Sequence, residues 1–173
     1  MAKATFNYAK SQKVKFPEEL LDMLNIMFNK ELKPRNKLMT LISIVIDPKS
    51  GELMLDNAGQ SYPCYYNAST KTSEEIAMPS LPLGGMKKRK HKGITKQMAQ
   101  GDAIILYTDG IIECTASNGE MFGYERFYAI FTEMMQNNAT AKETLDTLYQ
   151  HMEAFRETGP RPDDVTMIIV KKL

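Results

Sequence analysis

The apolar positions change period several times along the chain, and each change predicts an element. After Phe16-Pro17-Glu18-Glu19, the residues Leu20, Leu21, Leu24, Met27 and Phe28 follow i, i+4, i+7 spacing, which predicts a helix with these side chains on its core face. Pro17 suits its first turn, the two acids suit its positive end, and Pro34 closes it. An earlier helix is predicted over residues 2–12, with Met1, Thr5, Tyr8 and Ala9 on one face. The pattern then shortens to strands. Leu38 to Ile46 is rich in β-branched residues, Asp47-Pro48-Lys49-Ser50-Gly51 is turn chemistry, and Glu52 to Ala58 reads as the second arm of a hairpin. A short strand is expected over Tyr62 to Tyr66, an irregular stretch over 67–92, an edge strand from Ile94 to Met98, and a strand from Ala103 to Thr108 after the turn Gln100-Gly101-Asp102. The last third turns helical. Phe127, Ile130, Phe131 and Met134 share a face between about Tyr124 and Gln136. Thr140 and Glu143 form a capping box for a further helix with Leu145, Leu148, Met152 and Phe155 inward. Gly159-Pro160 stops that helix, and Val165 to Val170 is the final strand. With no repeat, linker or second domain, antiparallel strands with helices grouped outside them predict an α+β layered architecture.

Composition narrows the function classes. A chain of 173 residues supports one core, and 43% apolar with 25% charged residues is an ordinary globular balance. The net charge of +1 gives no reason to expect nucleic acid or an anionic membrane as partner. No apolar run approaches the roughly 20 residues that span a bilayer, and Met1 to Phe6 lacks the apolar core of a secretory signal. Cys64 and Cys114 are isolated, and His91 and His151 are scattered, so neither a disulfide framework nor a zinc site is expected. A cytoplasmic protein with free thiols follows. The basic run from Lys87 to Lys92 could hold a phosphate backbone or an acidic partner, but the charge is balanced elsewhere and no aromatic platform interleaves it, so a solvated loop is the expectation.

The chemistry concentrates in acids at strand ends. Asp109 follows the apolar run Ala103 to Thr108 and precedes Gly110, while Asp163 and Asp164 stand just before the second run, Val165 to Val170. If those strands are antiparallel neighbours, the three carboxylates meet at one end of the sheet. Oxygen-only ligands favour a hard divalent cation such as Mg²⁺ or Mn²⁺. Asp-Gly alone is a common turn, and Asp163-Asp164 alone is compatible with a solvated loop that discourages edge pairing. The pairing carries weight because both strands are expected to be central. Two carboxylate positions are nevertheless few for the site they suggest.

Leu106-Tyr107-Thr108-Asp109-Gly110, Glu113, Asn118-Gly119-Glu120 and Phe122-Gly123 together resemble the signature of the SpoIIE-like, RsbU-like branch of the metal-dependent protein phosphatases, relatives of the type 2C serine/threonine phosphatases. Asn57-Ala58-Gly59, Leu81-Pro82-Leu83-Gly84, Gly101-Asp102 and Asp163-Asp164-Val165-Thr166 resemble further family segments in the same order. The resemblance covers nearly the whole chain. It implies a layered α-β-β-α phosphatase sandwich with antiparallel sheets and a two-metal centre of Mn²⁺ or Mg²⁺. Asp109 and Asp163 would be metal ligands, and Asp164 would join them as a catalytic residue. The implied substrate is a phosphoserine or phosphothreonine protein, an anti-sigma-factor antagonist of the STAS fold.

Two upstream acidic motifs of the family are absent, and Met1 to Phe6 resembles the helix that directly follows the second of them. The expectation is therefore a single partial domain over 1–173, the C-terminal portion, lacking its first strands and half of the metal site, with little or no activity by itself. Strands exposed by that loss would favour a homodimer. Gln60 stands where the family commonly has His. The competing reading is a non-catalytic binding module, a degenerate phosphatase fold that docks a signalling partner without hydrolysing it.

Overall fold

The helical spacing after Phe16 is realised as α1 (Pro17–Glu31) in the computed structural model, which describes residues 7, 11, 14–31, 37–88, 93–157 and 163–173. Pro34, Gly159, Pro160 and all but two residues of the expected 2–12 helix lie outside the described residues. The chain divides into two compact units, one of residues 1–60 with 78–98, the other of residues 61–77 with 99–173.

In the first unit β1 (Leu41–Ile46) and β2 (Glu52–Ala58) form the expected antiparallel hairpin, with Leu41 opposite Ala58 and Ile46 opposite Leu53. The Asp47 carboxylate accepts hydrogen bonds from the Lys49 and Ser50 amides at 2.8 and 3.2 Å, and Gly51 takes φ +79°, so the turn follows its residue chemistry. The strand starts at Leu41 rather than Leu38, because Met39 pairs only as an isolated bridge with Leu83. Ile94–Gln97 pairs with β2 as an edge strand, as its pattern predicts. Helix α1 buries Leu21, Leu24 and Phe28 against Ala58 and Leu83. Its Asn25 and Asn29, one turn apart, both donate to the Met86 carbonyl, at 3.1 and 2.7 Å, and tie down the loop after Leu83. Gly59 has φ +76°, and a Cβ there would lie 2.8 Å from the Pro82 ring. Asn57-Ala58-Gly59 and Leu81-Pro82-Leu83-Gly84, far apart in sequence, thus close on one another.

The second unit is a four-stranded antiparallel sheet. Numbering strands along the chain, with β5 the Ile94–Gln97 edge strand, these are β3 (Cys64–Asn67), β4 (Thr72–Glu75), β6 (Ala103–Tyr107) and β7 (Met167–Lys171), in the order β4-β3-β6-β7. Strand β4 lies inside the stretch expected to be irregular. Thr-Ser-Glu-Glu carries no apolar alternation, and it pairs because Asn67 accepts hydrogen bonds from the Ser69 and Thr70 amides, folding the chain back on β3. Strand β6 is central and buried throughout. The expectation that β7 is central too is corrected: it closes the sheet among the described strands and is only half-buried. Helices α2 (Gly123–Gln136) and α3 (Ala141–Arg156) bury Phe127, Phe131, Met135, Leu148 and Met152 in one cluster with Tyr66, Ile105 and Tyr107. The capping box forms as its spacing predicts: Thr140 Oγ1 accepts from the Glu143 amide at 3.2 Å, and the Glu143 carboxylate accepts from the Thr140 amide at 2.8 Å. Cys64 and Cys114 are buried, and neither forms a disulfide. No described helix is long and apolar enough to cross a membrane.

Candidate active site at the shared end of two strands

Strands β6 and β7 are antiparallel neighbours, with Tyr107 opposite Met167. The residue leaving β6 therefore stands beside the residues entering β7. Thr108 staples the two ends together. Its amide donates to the Thr166 carbonyl at 3.0 Å, its hydroxyl donates to the Asp164 carbonyl at 3.0 Å, and the hydroxyl oxygen accepts from the Thr166 amide at 3.0 Å. A Thr at this position satisfies both backbones where the ladder runs out.

Asp109 opens a short 3₁₀ turn, Asp109–Ile111, whose first carbonyl accepts from the Glu113 amide at 2.9 Å. Its carboxylate is exposed and takes no hydrogen bond from a described residue. Gly110 is buried, and a Cβ on it would lie 2.6 Å from the Asp164 carbonyl oxygen and 3.3 Å from that of Asp163. Glycine here answers a close backbone approach, not a positive φ. Asp163 and Asp164 are both exposed, and the Asp163 carboxylate accepts from the Asp164 amide at 2.7 Å. The structure thus brings the backbone of Asp109–Gly110 against that of Asp163–Asp164, with all three acids exposed at this end of the sheet. Gly110→Ala is expected to cost about 1–3 kcal/mol through overpacking against rigid backbone, lowering the melting midpoint by roughly 3–10 °C. An unchanged midpoint in a thermal melt would show that the two strand ends do not approach as described.

The donor set suits a hard divalent cation in kind, since it is oxygen-only and solvent-facing. It falls short in number. Among the described residues, no group of three or more acidic, histidine or cysteine side chains is placed to hold a metal. Asp47 is spent on its own turn, and Asp56 is buried in β2 with its Oδ1 on the Asn57 amide. Glu113 is exposed in the loop that follows Asp109.

Beside Asp109 lies an aromatic group that sequence reading did not single out. Tyr128 donates to the Glu75 carboxylate at 2.8 Å, which leaves the Tyr107 hydroxyl as donor in the 2.7 Å contact between the two phenols. Burial, first, pushes both phenols well above their ordinary range, so both stay neutral donors at physiological pH. Tyr124 leans on Tyr128 with ring centroids 5.8 Å apart and remains 46% exposed. Partial burial raises its phenol, followed by the carboxylates of Glu75, Asp109 and Glu113. The Gly123 amide bonds the Ile112 carbonyl at 3.0 Å, which ties the start of α2 to the end of the Asp109 turn. The i, i+4 spacing of Tyr124 and Tyr128 was legible, but Glu75 sits on a strand without a sequence signal.

Lys87 and Lys88 are exposed, in accord with a solvated loop, and 89–92 lie outside the described residues.

The chain is similar to the phosphoserine phosphatase RsbU of Bacillus subtilis strain 168, with 24% identity over 116 residues, covering 67% of this chain and 33% of RsbU. It therefore spans about a third of that relative. Among solved structures, the SiaA-PP2C domain of Pseudomonas aeruginosa superposes with a TM-score of 0.82 at 17% identity, covering 98% of this chain and 67% of that one. RsbX in complex with magnesium gives a TM-score of 0.67 at 16% identity, covering 96% and 70%. These likenesses show the fold, an α+β phosphatase sandwich of the PP2C type with antiparallel sheets. The sequence pattern of the family described as Stage II sporulation protein E (SpoIIE) matches residues 1–172, and the chain belongs to that family.

Proposed function

We propose that this chain contributes to a metal-dependent protein serine/threonine phosphatase, which hydrolyses phosphoserine or phosphothreonine on a regulatory protein. The observation that carries the reading is the meeting of exposed Asp109, Asp163 and Asp164 at the common end of β6 and β7. The name of RsbU, a phosphoserine phosphatase, and the magnesium of the RsbX complex support it. Asp109 and Asp163 are the proposed ligands of Mn²⁺ or Mg²⁺, with Asp164 the neighbouring catalytic carboxylate. Two such ions, when bound, supply an activated water and charge that neutralises phosphoryl oxygens. The chain's own part is to aim the carboxylates: Thr108 fixes the strand ends, and Gly110 lets the backbones approach. No side-chain nucleophile is required. Any further ligands of a binuclear centre belong outside the described residues.

The proposed substrate is an anti-sigma-factor antagonist of the STAS type. A second copy of the chain is the proposed additional partner, because the outer edges of β1 and β7 are unpaired among the described strands. Concentration-dependent dimerisation in sedimentation is expected; a monomer at every concentration contradicts it. The small carboxylate count favours one other reading, a non-catalytic docking module. The discriminating measurement is phosphate release from a phosphoserine protein by the full-length protein, with Mn²⁺ and with chelator. Metal-dependent release is expected, with little or none from residues 1–173 alone. Absence of release from the full-length protein under both conditions favours the docking module, and strong release by the 173 residues alone contradicts the shortage of ligands.

A further inference from the structure

An aromatic side chain left half in water beside a reactive centre, while its neighbours are buried, has a ring face available for a ligand. Tyr124 is such a residue. It is 46% exposed, whereas Phe122 and Phe127 on either side of it in sequence are buried at 2% and 0%. It is also held still. Its ring rests on Tyr128, which is fixed between the Tyr107 hydroxyl and the Glu75 carboxylate by bonds of 2.7 and 2.8 Å. The strand carrying Glu75 and the residue just before it are fastened to the same helix by two more bonds, Thr132 to Ser73 at 2.7 Å and Gln136 to the Lys71 carbonyl at 2.8 Å. A preorganised ring loses little freedom when something stacks on it.

The charges around the ring decide what that something is. Glu75 reaches the ring's neighbour Tyr128 at 2.8 Å, and the Gly123–Ile112 bond sets the start of the helix against the turn that carries Asp109 and Glu113. After partial burial, these three carboxylates raise the Tyr124 phenol. The cation closest in sequence, Arg126, is committed elsewhere, to the Glu120 carboxylate and to the face of Phe155, 4.6 Å from its centroid. An electron-rich ring bordered by carboxylates attracts a cation and repels an acid.

We propose that Tyr124 is a specificity-determining residue that stacks on a Lys or Arg flanking the phosphorylated residue of the protein substrate, with Glu75 and Glu113 completing the recognition of its charge. The inference rests on the phosphatase reading only in taking the Asp109 end of the sheet as the place where the phosphorylated residue is presented. Tyr128, Tyr107 and Glu75 position the ring.

The test is fluorescence anisotropy of labelled phosphoserine peptides binding to the full-length protein with Mn²⁺. The peptides are identical except for arginine, norleucine or glutamate beside the phosphoserine. Arginine is expected to bind roughly fivefold tighter than norleucine, as a partly solvated cation–π contact provides, and glutamate weakest. Tyr124→Phe, which keeps the ring, is expected to retain the order; Tyr124→Ala is expected to bring arginine and norleucine to within about twofold. The same peptides are assayed for phosphate release. No preference in the wild type, or an undiminished arginine preference in Tyr124→Ala, overturns the inference. Preference without release would leave it standing and sink the phosphatase reading, while release without preference would do the reverse.

Discussion

Asp102→Ala is expected to be among the most destabilising single substitutions in this chain, at about 3–5 kcal/mol, because it removes a buried charged acceptor and strands its donors. The Asp102 carboxylate is 3% exposed and accepts three hydrogen bonds: from the Tyr65 hydroxyl at 2.6 Å and from the Ala68 and Ala99 amides at 2.8 Å each. Those donors belong to β3, to the turn after it and to the approach to β6, so one side chain fastens three backbone segments. The same turn reaches the end of the chain, with the Lys172 amide on the Asp102 carbonyl at 2.9 Å and the Gly101 amide on the Lys172 carbonyl at 2.8 Å. Alanine would leave the Tyr65 hydroxyl and both amides without this acceptor. Asparagine keeps an acceptor oxygen but turns an NH₂ group toward a donor, so Asp102→Asn is expected to cost about 2 kcal/mol. Urea unfolding followed by circular dichroism measures both. A midpoint for Asp102→Ala near that of the wild type, with unchanged slope, would mean that the carboxylate is not the fastener the hydrogen bonds describe.

What the sequence reveals follows from which forces act locally. Helix faces such as Leu21, Leu24 and Phe28, or Phe127 and Phe131, are written in spacing because burial selects one side of a regular element. The hairpin from β1 to β2 and the Thr140–Glu143 box are legible because side chain meets nearby backbone. The closeness of Asp109 to Asp163 and Asp164 was readable only on the condition that two strands be antiparallel neighbours, which the pairing of β6 with β7 satisfies. The failures have one cause, since long-range partners leave no periodic trace. Thr72 to Glu75 is a strand only because Asn67 turns it onto β3, and Glu75 meets Tyr128 across 53 residues. The edge position of β7 among the described strands is likewise a property of the sheet and not of Met-Ile-Ile-Val-Lys, whose apolar run reads as a buried strand.

Asp109→Asn is expected to lower metal-dependent phosphate release by the full-length protein at least about a hundredfold. Partners one step removed from a metal already cost about 10–100-fold when lost, and a direct ligand, the role proposed for Asp109, costs no less. The fold has no comparable stake in the side chain. Its carboxylate is exposed and takes no hydrogen bond from a described residue, and the backbone bond of the turn, from the Glu113 amide to the Asp109 carbonyl, survives the substitution. Activity and stability should therefore separate here, whereas at Asp102 the loss is in stability. Asp163→Asn is expected to follow Asp109→Asn, and Asp164→Asn to have a smaller effect, because Asp164 is proposed as a neighbouring carboxylate and not as a metal ligand; its carbonyl bond to Thr108 survives the substitution. The decisive measurement is phosphate release from a phosphoserine protein in Mn²⁺ by the full-length wild type and its Asp109→Asn variant, with a urea melt of each. Release from Asp109→Asn is expected to be at least about a hundredfold lower, with an unmoved melt; equal release from the two proteins would contradict the ligand role proposed for Asp109.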